Sequence, residues 1–127
     1  MNTALAAHDS KKVTMENLCI AYKHTLRKHN IFATSTTGKG IEKATGLAVS
    51  KYHEEGLGGE EQMAAQIAYN DIGMVIYLCD PEYIFHDEAG IVGIMRACGV
   101  HNVPFATNLA TAEALLLTLG QGAVPIN

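Results

Sequence analysis

Met74-Val75-Ile76-Tyr77-Leu78-Cys79 is apolar on both faces. A strand with one wet face alternates apolar and polar residues, so this run belongs in the centre of a parallel sheet, covered by helices on both sides. Four more β-leaning runs lie around it: Thr3 to Ala7, Ile31 to Ser35, Leu47 to Tyr52 and Val103 to Thr107. Amphipathic segments separate them. Met15, Leu18, Cys19, Tyr22 and Leu26 recur at spacings of three and four behind Ser10, a candidate N-cap, predicting a helix of about 18 residues that ends near His29-Asn30. Gly59 to Asn70 puts Met63, Ala64, Ile67 and Ala68 on one helical face, and Ile91, Ile94, Met95 and Cys98 repeat the pattern before Gly99. Thr107 or Asn108 opens a last helix through Ala112, Leu115, Leu116 and Leu119, closed by Gly120. Strand and helix alternate throughout, which predicts an α/β sandwich in one domain over residues 1–127, with a short, loosely attached tail from Gln121.

Composition narrows the function classes. The chain has 127 residues, 48% hydrophobic and 17% charged, enough for one core. A formal net charge of -4 argues against a protein that binds nucleic acid by bulk charge. Apolar runs stop short of the ~20 residues a membrane helix needs, and no basic stretch precedes a long apolar one at the N-terminus. The expectation is a soluble, untargeted protein. Cys19, Cys79 and Cys98 are odd in number, widely spaced and set in apolar segments, so they read as buried thiols of a reducing compartment.

In open parallel sheets ligands bind beyond the C-terminal strand ends, and there the turns carry chemistry. The first strand runs into His8-Asp9-Ser10-Lys11-Lys12, the second into Thr34-Ser35-Thr36-Thr37-Gly38-Lys39-Gly40, the fourth into Asp80-Pro81 and the last into Ala106-Thr107-Asn108. Gly56-Leu57-Gly58-Gly59-Glu60 leads into a helix after the third. Hydroxyls, glycines and a lysine at a turn and helix start suit a phosphate or carboxylate, although a hydroxyl-rich helix cap has the same composition. An imidazole and a carboxylate after a buried strand, His8 and Asp9, can polarise a carbonyl or move protons. Asp80 before Pro81 also suits a plain turn, and Glu60 at a helix N-terminus suits the helix dipole. His24, His29, His53 and His101 show no ligand spacing, so no metal site is expected.

These residues, in this order, resemble the methylglyoxal synthase family. The likeness runs through Ala4-Leu5-Ala6-Ala7-His8-Asp9, Ala33-Thr34-Ser35-Thr36-Thr37-Gly38, Ala44-Thr45-Gly46-Leu47, Gly58-Gly59-Glu60, Asp80-Pro81 and Pro104-Phe105-Ala106-Thr107-Asn108. It implies a three-layer α/β/α sandwich on a five-stranded parallel sheet, a cytoplasmic homo-oligomer, commonly a hexamer, and no metal or organic cofactor. It also implies loss of phosphate from a small phosphorylated keto substrate, dihydroxyacetone phosphate, to give methylglyoxal. A carboxylate removes a proton next to the ketone, hydrogen-bond donors hold the enediolate oxygens, and phosphate leaves by elimination. Position by position, the family's base falls on Glu60 and its His-Asp pair on His8 and Asp9. The phosphate-holding lysine falls on Lys12, the hydroxyl loop on Thr34, Thr36, Thr37 and Gly38, the strand-four aspartate on Asp80, and the histidine of the following loop on His86.

The chain also departs from the family pattern. Glu60 stands where the family has aspartate, and a catalytic group misplaced by about 1 Å can cost about a hundredfold. Glu54-Glu55-Gly56 replaces the phosphate-holding Ser-Gly-Pro, and like charges about 4 Å apart at an effective dielectric near 20 repel by about 4 kcal/mol. The Gly58-Gly59 turn running straight into Glu60 favours a ligand-facing placement of Glu54 and Glu55. Ser35 replaces a glycine, Phe85 a proline and Ala89 an aspartate, with Asp87 or Glu88 as substitutes, and His86 lies one residue closer to Asp80 than the family spacing. Besides the lyase, the sequence therefore carries the reading of a binding or regulatory module for a small anionic metabolite, like the allosteric domain of large carbamoyl-phosphate synthetases. A third reading is a lyase or isomerase for a related keto sugar.

Overall fold

Five strands, β1 (Asn2–Ala7), β2 (Asn30–Ala33), β3 (Val49–Lys51), β4 (Met74–Leu78) and β5 (Phe105–Ala106), form one sheet in the order β3-β2-β1-β4-β5. Every neighbouring pair is parallel. The computed structural model describes residues 1–84 and 89–122. Helices α1 (Lys12–Ala21), α2 (Lys23–Leu26), α3 (Ser35–Thr45), α4 (Gly59–Ala68), α5 (Pro81–Ile84), α6 (Ala89–His101) and α7 (Leu109–Gly120) connect the strands.

The α/β/α sandwich follows from strand periodicity. On β4, Met74, Ile76 and Leu78 enter one core with Leu5, Met15, Leu18, Ile41 and Leu116, under α1, α3 and α7. Val75 and Tyr77 point the other way, into a second core with Met63, Ile67, Ile91, Ile94 and Cys98, under α4 and α6. All five β4 residues are buried, as the unbroken apolar run requires. Each fully buried Leu, Ile or Met contributes about 1.5–3 kcal/mol relative to exposure, so the two cores hold the three layers together.

Local differences from the sequence reading have identifiable causes. The first helix is not continuous: a 3-10 turn at Asp9–Lys11 precedes α1, and Tyr22 (φ -108°, ψ 21°) separates α1 from α2, which turns against α7 and buries Leu26. Ser10 caps no helix, because its hydroxyl donates to Asp80 at 2.7 Å. β2 ends at Ala33, since Thr34 occupies the N-cap position of α3 and Ser35 is already helical. The edge strands β3 and β5 pair on one side only and are shorter than their apolar runs. Ala68 and Met95 are exposed: Ala68 falls off the buried face that Met63 and Ile67 define, and Met95 lines a shallow apolar groove with Phe105. α6 passes through Gly99 and ends before Asn102, which takes the left-handed conformation (φ 56°). Asn108 caps α7 by accepting from the Thr111 N–H at 3.0 Å.

The three cysteines are free thiols; Cys19 and Cys98 are buried and Cys79 is half-buried. Burial pushes the Cys19 thiol up to about 12, with Glu16 adding to it, and pushes Cys79 and Cys98 up to about 11. No helix among the described residues is long and apolar enough to cross a membrane.

Thr3 on the central strand β1 is fully buried, and its hydroxyl has no hydrogen-bond partner among the described residues. An unpaired buried hydroxyl costs about 1–3 kcal/mol, and valine has nearly the same shape with better strand propensity. Thr3→Val is expected to stabilise the fold by about 1 kcal/mol, read as a higher urea midpoint at unchanged slope. A lower midpoint would mean that the hydroxyl is satisfied in solution.

Candidate active site

The sheet order puts a topological switch between β1 and β4, because the chain leaves β1 towards β2 and β4 towards β5. The crevice at such a switch is where a ligand fits. His8 and Asp80 continue these two strands. The His8 N–H donates to the Leu78 carbonyl at 3.0 Å, and the Asp80 N–H donates to His8 Nδ1 at 2.8 Å. With Nδ1 accepting, a neutral imidazole carries its proton on Nε2 and becomes a donor there. The ring is buried between Tyr77, edge-on at 5.3 Å, and Tyr83, tilted at 4.7 Å. Asp80 accepts from Ser10 Oγ at 2.7 Å and from the Glu82 N–H at 3.0 Å. The Ser10 hydrogen bond, more than any other contact, lowers its pKa below the ordinary value. Asp80 thus closes the β4 turn and fastens it to the turn after β1.

Beside this pair lies a cradle of donors. Lys12, at the start of α1, donates to the Ala7 carbonyl at 2.7 Å, Thr37 Oγ1 at 3.1 Å and Glu55 Oε2 at 2.9 Å. Thr34 and Thr37 both donate to Glu55 Oε1, the latter at 3.3 Å. Thr36 holds Glu54 through its hydroxyl and its backbone N–H, the latter at 3.3 Å from Glu54 Oε1. Both glutamates therefore face inward, onto the start of α3, and Glu55 forms a partly buried ion pair with Lys12. Asp9, almost fully exposed and 3.6 Å from Lys12, adds little.

Glu60 is buried in the first turn of α4. Gly58 (φ 102°) makes the turn into that helix in a conformation favouring glycine, and a Cβ at Gly59 would collide with the His53 carbonyl. The Glu60 carboxylate accepts from the Gly56 N–H at 2.9 Å and from the Tyr77 hydroxyl at 3.3 Å. Burial foremost, then the Glu60 charge, pushes the Tyr77 phenol up, which keeps it a donor. Gly90 closes the third side: a Cβ there would stand 2.8 Å from the carboxylate.

His8, Asp9, Asp80 and Thr36 line a cleft of about 510 Å³ together with Ser10, Glu54, Glu55 and Tyr83. Lys12, Thr34 and Thr37 lie under Glu55, and Glu60 stands behind the loop that carries it. Gly38 does not line the cleft; its N–H donates to the Thr34 carbonyl, and a Cβ there would stand 3.0 Å from the Lys51 side chain and 3.3 Å from that of Val49. His86, with Phe85, Asp87 and Glu88, falls outside the described residues. Among the described residues, no group of three or more His, Cys, Asp or Glu side chains could hold a metal ion. The sequence reading missed Tyr77, Tyr83 and Gly90. A phenol in an otherwise aliphatic central strand was the available signal, because a buried tyrosine hydroxyl needs a partner.

A family model described as MGS-like domain matches residues 15–107. The methylglyoxal synthase of Thermoanaerobacter sp. (strain X514) is 51% identical over 122 residues, which cover 96% of this chain and 92% of that protein. The methylglyoxal synthase of Caldicellulosiruptor saccharolyticus is 49% identical over 122 residues, covering 96% and 86%. The crystal structure of methylglyoxal synthase from Elizabethkingia anophelis NUHP1 superposes with a TM-score of 0.82 at 36% identity, over 91% of this chain and 76% of that one. By the family model, these relatives and this shared fold, the chain belongs to the methylglyoxal synthase family.

Proposed function

We propose that this protein is a carbon–oxygen lyase that eliminates phosphate from dihydroxyacetone phosphate to form methylglyoxal. The observation that carries this reading is the buried Glu60 carboxylate, oriented by the Gly56 N–H and the Tyr77 hydroxyl behind the switch-point crevice. Glu60 takes the proton from the carbon next to the ketone, and the bonding pair of that C–H bond enters the enediolate. His8 donates Nε2–H to the developing oxyanion. The C–O bond to phosphate then breaks, phosphate leaves with that bonding pair, and the enol left behind tautomerises to methylglyoxal. Lys12, Thr34, Thr36 and Thr37 hold the phosphate, Asp9 and Asp80 border the cleft, and His86 is the second donor.

Two fixed donors on Glu60 support the reading despite its extra methylene, because they restrict the longer side chain to one position. Relatives named methylglyoxal synthase at 44–51% identity support the reaction class. In the same reading the protein is a cytoplasmic homo-oligomer, a hexamer by resemblance. The ion pair between Lys12 and Glu55 supports a second reading, a module of the same fold with altered specificity or without catalysis.

Incubating the pure protein with dihydroxyacetone phosphate and measuring methylglyoxal and free phosphate separates the two. Equal release of both products is expected, and release of neither leaves the second reading. Glu60→Gln should abolish turnover while a phosphate-bearing analogue still binds nearly as in the parent, since only proton abstraction is lost. Turnover within a fewfold of the parent would exclude Glu60 as the base. Tyr77→Phe should lower kcat roughly tenfold with KM within about twofold, because it frees the base without touching substrate. A change in KM alone would place Tyr77 in binding instead.

A further inference from the structure

Each of the four side chains assigned to the phosphate, Lys12, Thr34, Thr36 and Thr37, donates to one of the chain's own carboxylates. An ammonium has three N–H bonds, and those of Lys12 are matched by Ala7, Thr37 and Glu55. The hydroxyls of Thr34 and Thr37 donate to Glu55, and the hydroxyl and N–H of Thr36 donate to Glu54. The Glu55 side chain is only 17% exposed and stands where an incoming anion would place its oxygens. Next to both glutamates lies the cleft of about 510 Å³, open for a displaced carboxylate.

We propose that Glu55, assisted by Glu54, is the specificity-determining element of this site: an internal anion that fills the phosphate cradle and must be displaced before a phosphate-bearing ligand binds. The displacement weakens every such ligand. Inorganic phosphate, with no carbonyl to offer His8, drops below useful affinity first, whereas a phosphorylated ketose retains that second contact. The proposal rests on the lyase reading for its kinetic arm and stands apart from it in its binding arm.

Titrating inorganic phosphate calorimetrically into parent, Glu55→Gln and Glu55→Gly tests it. Glu55→Gln keeps the volume and removes the charge, and Glu55→Gly removes both. Affinity should rise in that order, by at least tenfold for Glu55→Gly, about 1.4 kcal/mol. Lys12→Ala should then cost several-fold more phosphate affinity in the Glu55→Gly background than in the parent, because only there is the ammonium free to meet the ligand. In the kinetic arm, KM for dihydroxyacetone phosphate should fall more than kcat changes. Equal phosphate affinity in parent and both variants, or weaker binding in both, would overturn the proposal. Methylglyoxal release with unchanged phosphate affinity keeps the lyase and removes the competition. Gained phosphate affinity without methylglyoxal keeps the competition and removes the lyase.

Discussion

A five-residue strand with no wet face, Met74–Leu78, is the constraint on which the rest depends. Water is excluded from both sides of it, so helices must cover both sides, and its neighbours must run parallel, joined by crossovers. Polar chemistry is thereby driven out of the sheet and onto its C-terminal edge. The hydrogen bond from the Asp80 N–H to His8 Nδ1 is the first consequence, since it ties the ends of β4 and β1 and fixes the imidazole in one move. The second is Tyr77, which obeys strand periodicity by entering the α4–α6 core yet carries a hydroxyl that must be satisfied there. Glu60, buried at the start of α4, satisfies it.

Much of this was legible in the sequence, because burial imposes periodicity and periodicity is visible. All five apolar runs contain strands, and the helices fall between them in the expected order. What could not be read was decided by tertiary partners. Ser10 has the composition of an N-cap but bonds Asp80, 70 residues away. The stripe from Met15 to Leu26 is continuous in sequence, yet the chain bends at Tyr22 to pack against α7. His8, Asp9, Thr36 and Asp80 meet at one cleft because strand-end turns converge there, whereas Gly38, read from the same loop, does not line it and leaves little room for a Cβ between α3 and β3. Tyr77 escaped notice because a single hydroxyl does not interrupt an apolar pattern.

The inward placement of Glu54 and Glu55 shows why their meaning could not be settled from charge alone. Two adjacent acidic residues in a glycine-rich loop have the look of a solvated surface. Their orientation is set by what surrounds them: an ammonium and hydroxyl groups from α1 and the start of α3 point at one small volume, and a nearby carboxylate is drawn in. A cradle built for anions collects the anions within reach.

The three thiols bear on endurance. Methylglyoxal is an electrophilic dicarbonyl, and the sulfur species it captures is the thiolate, not the thiol. Burial holds Cys19, Cys79 and Cys98 protonated far above neutral pH, with Cys79 alone reaching partly to solvent beside the β4 turn. The chain's own thiols are therefore poor nucleophiles towards such a product.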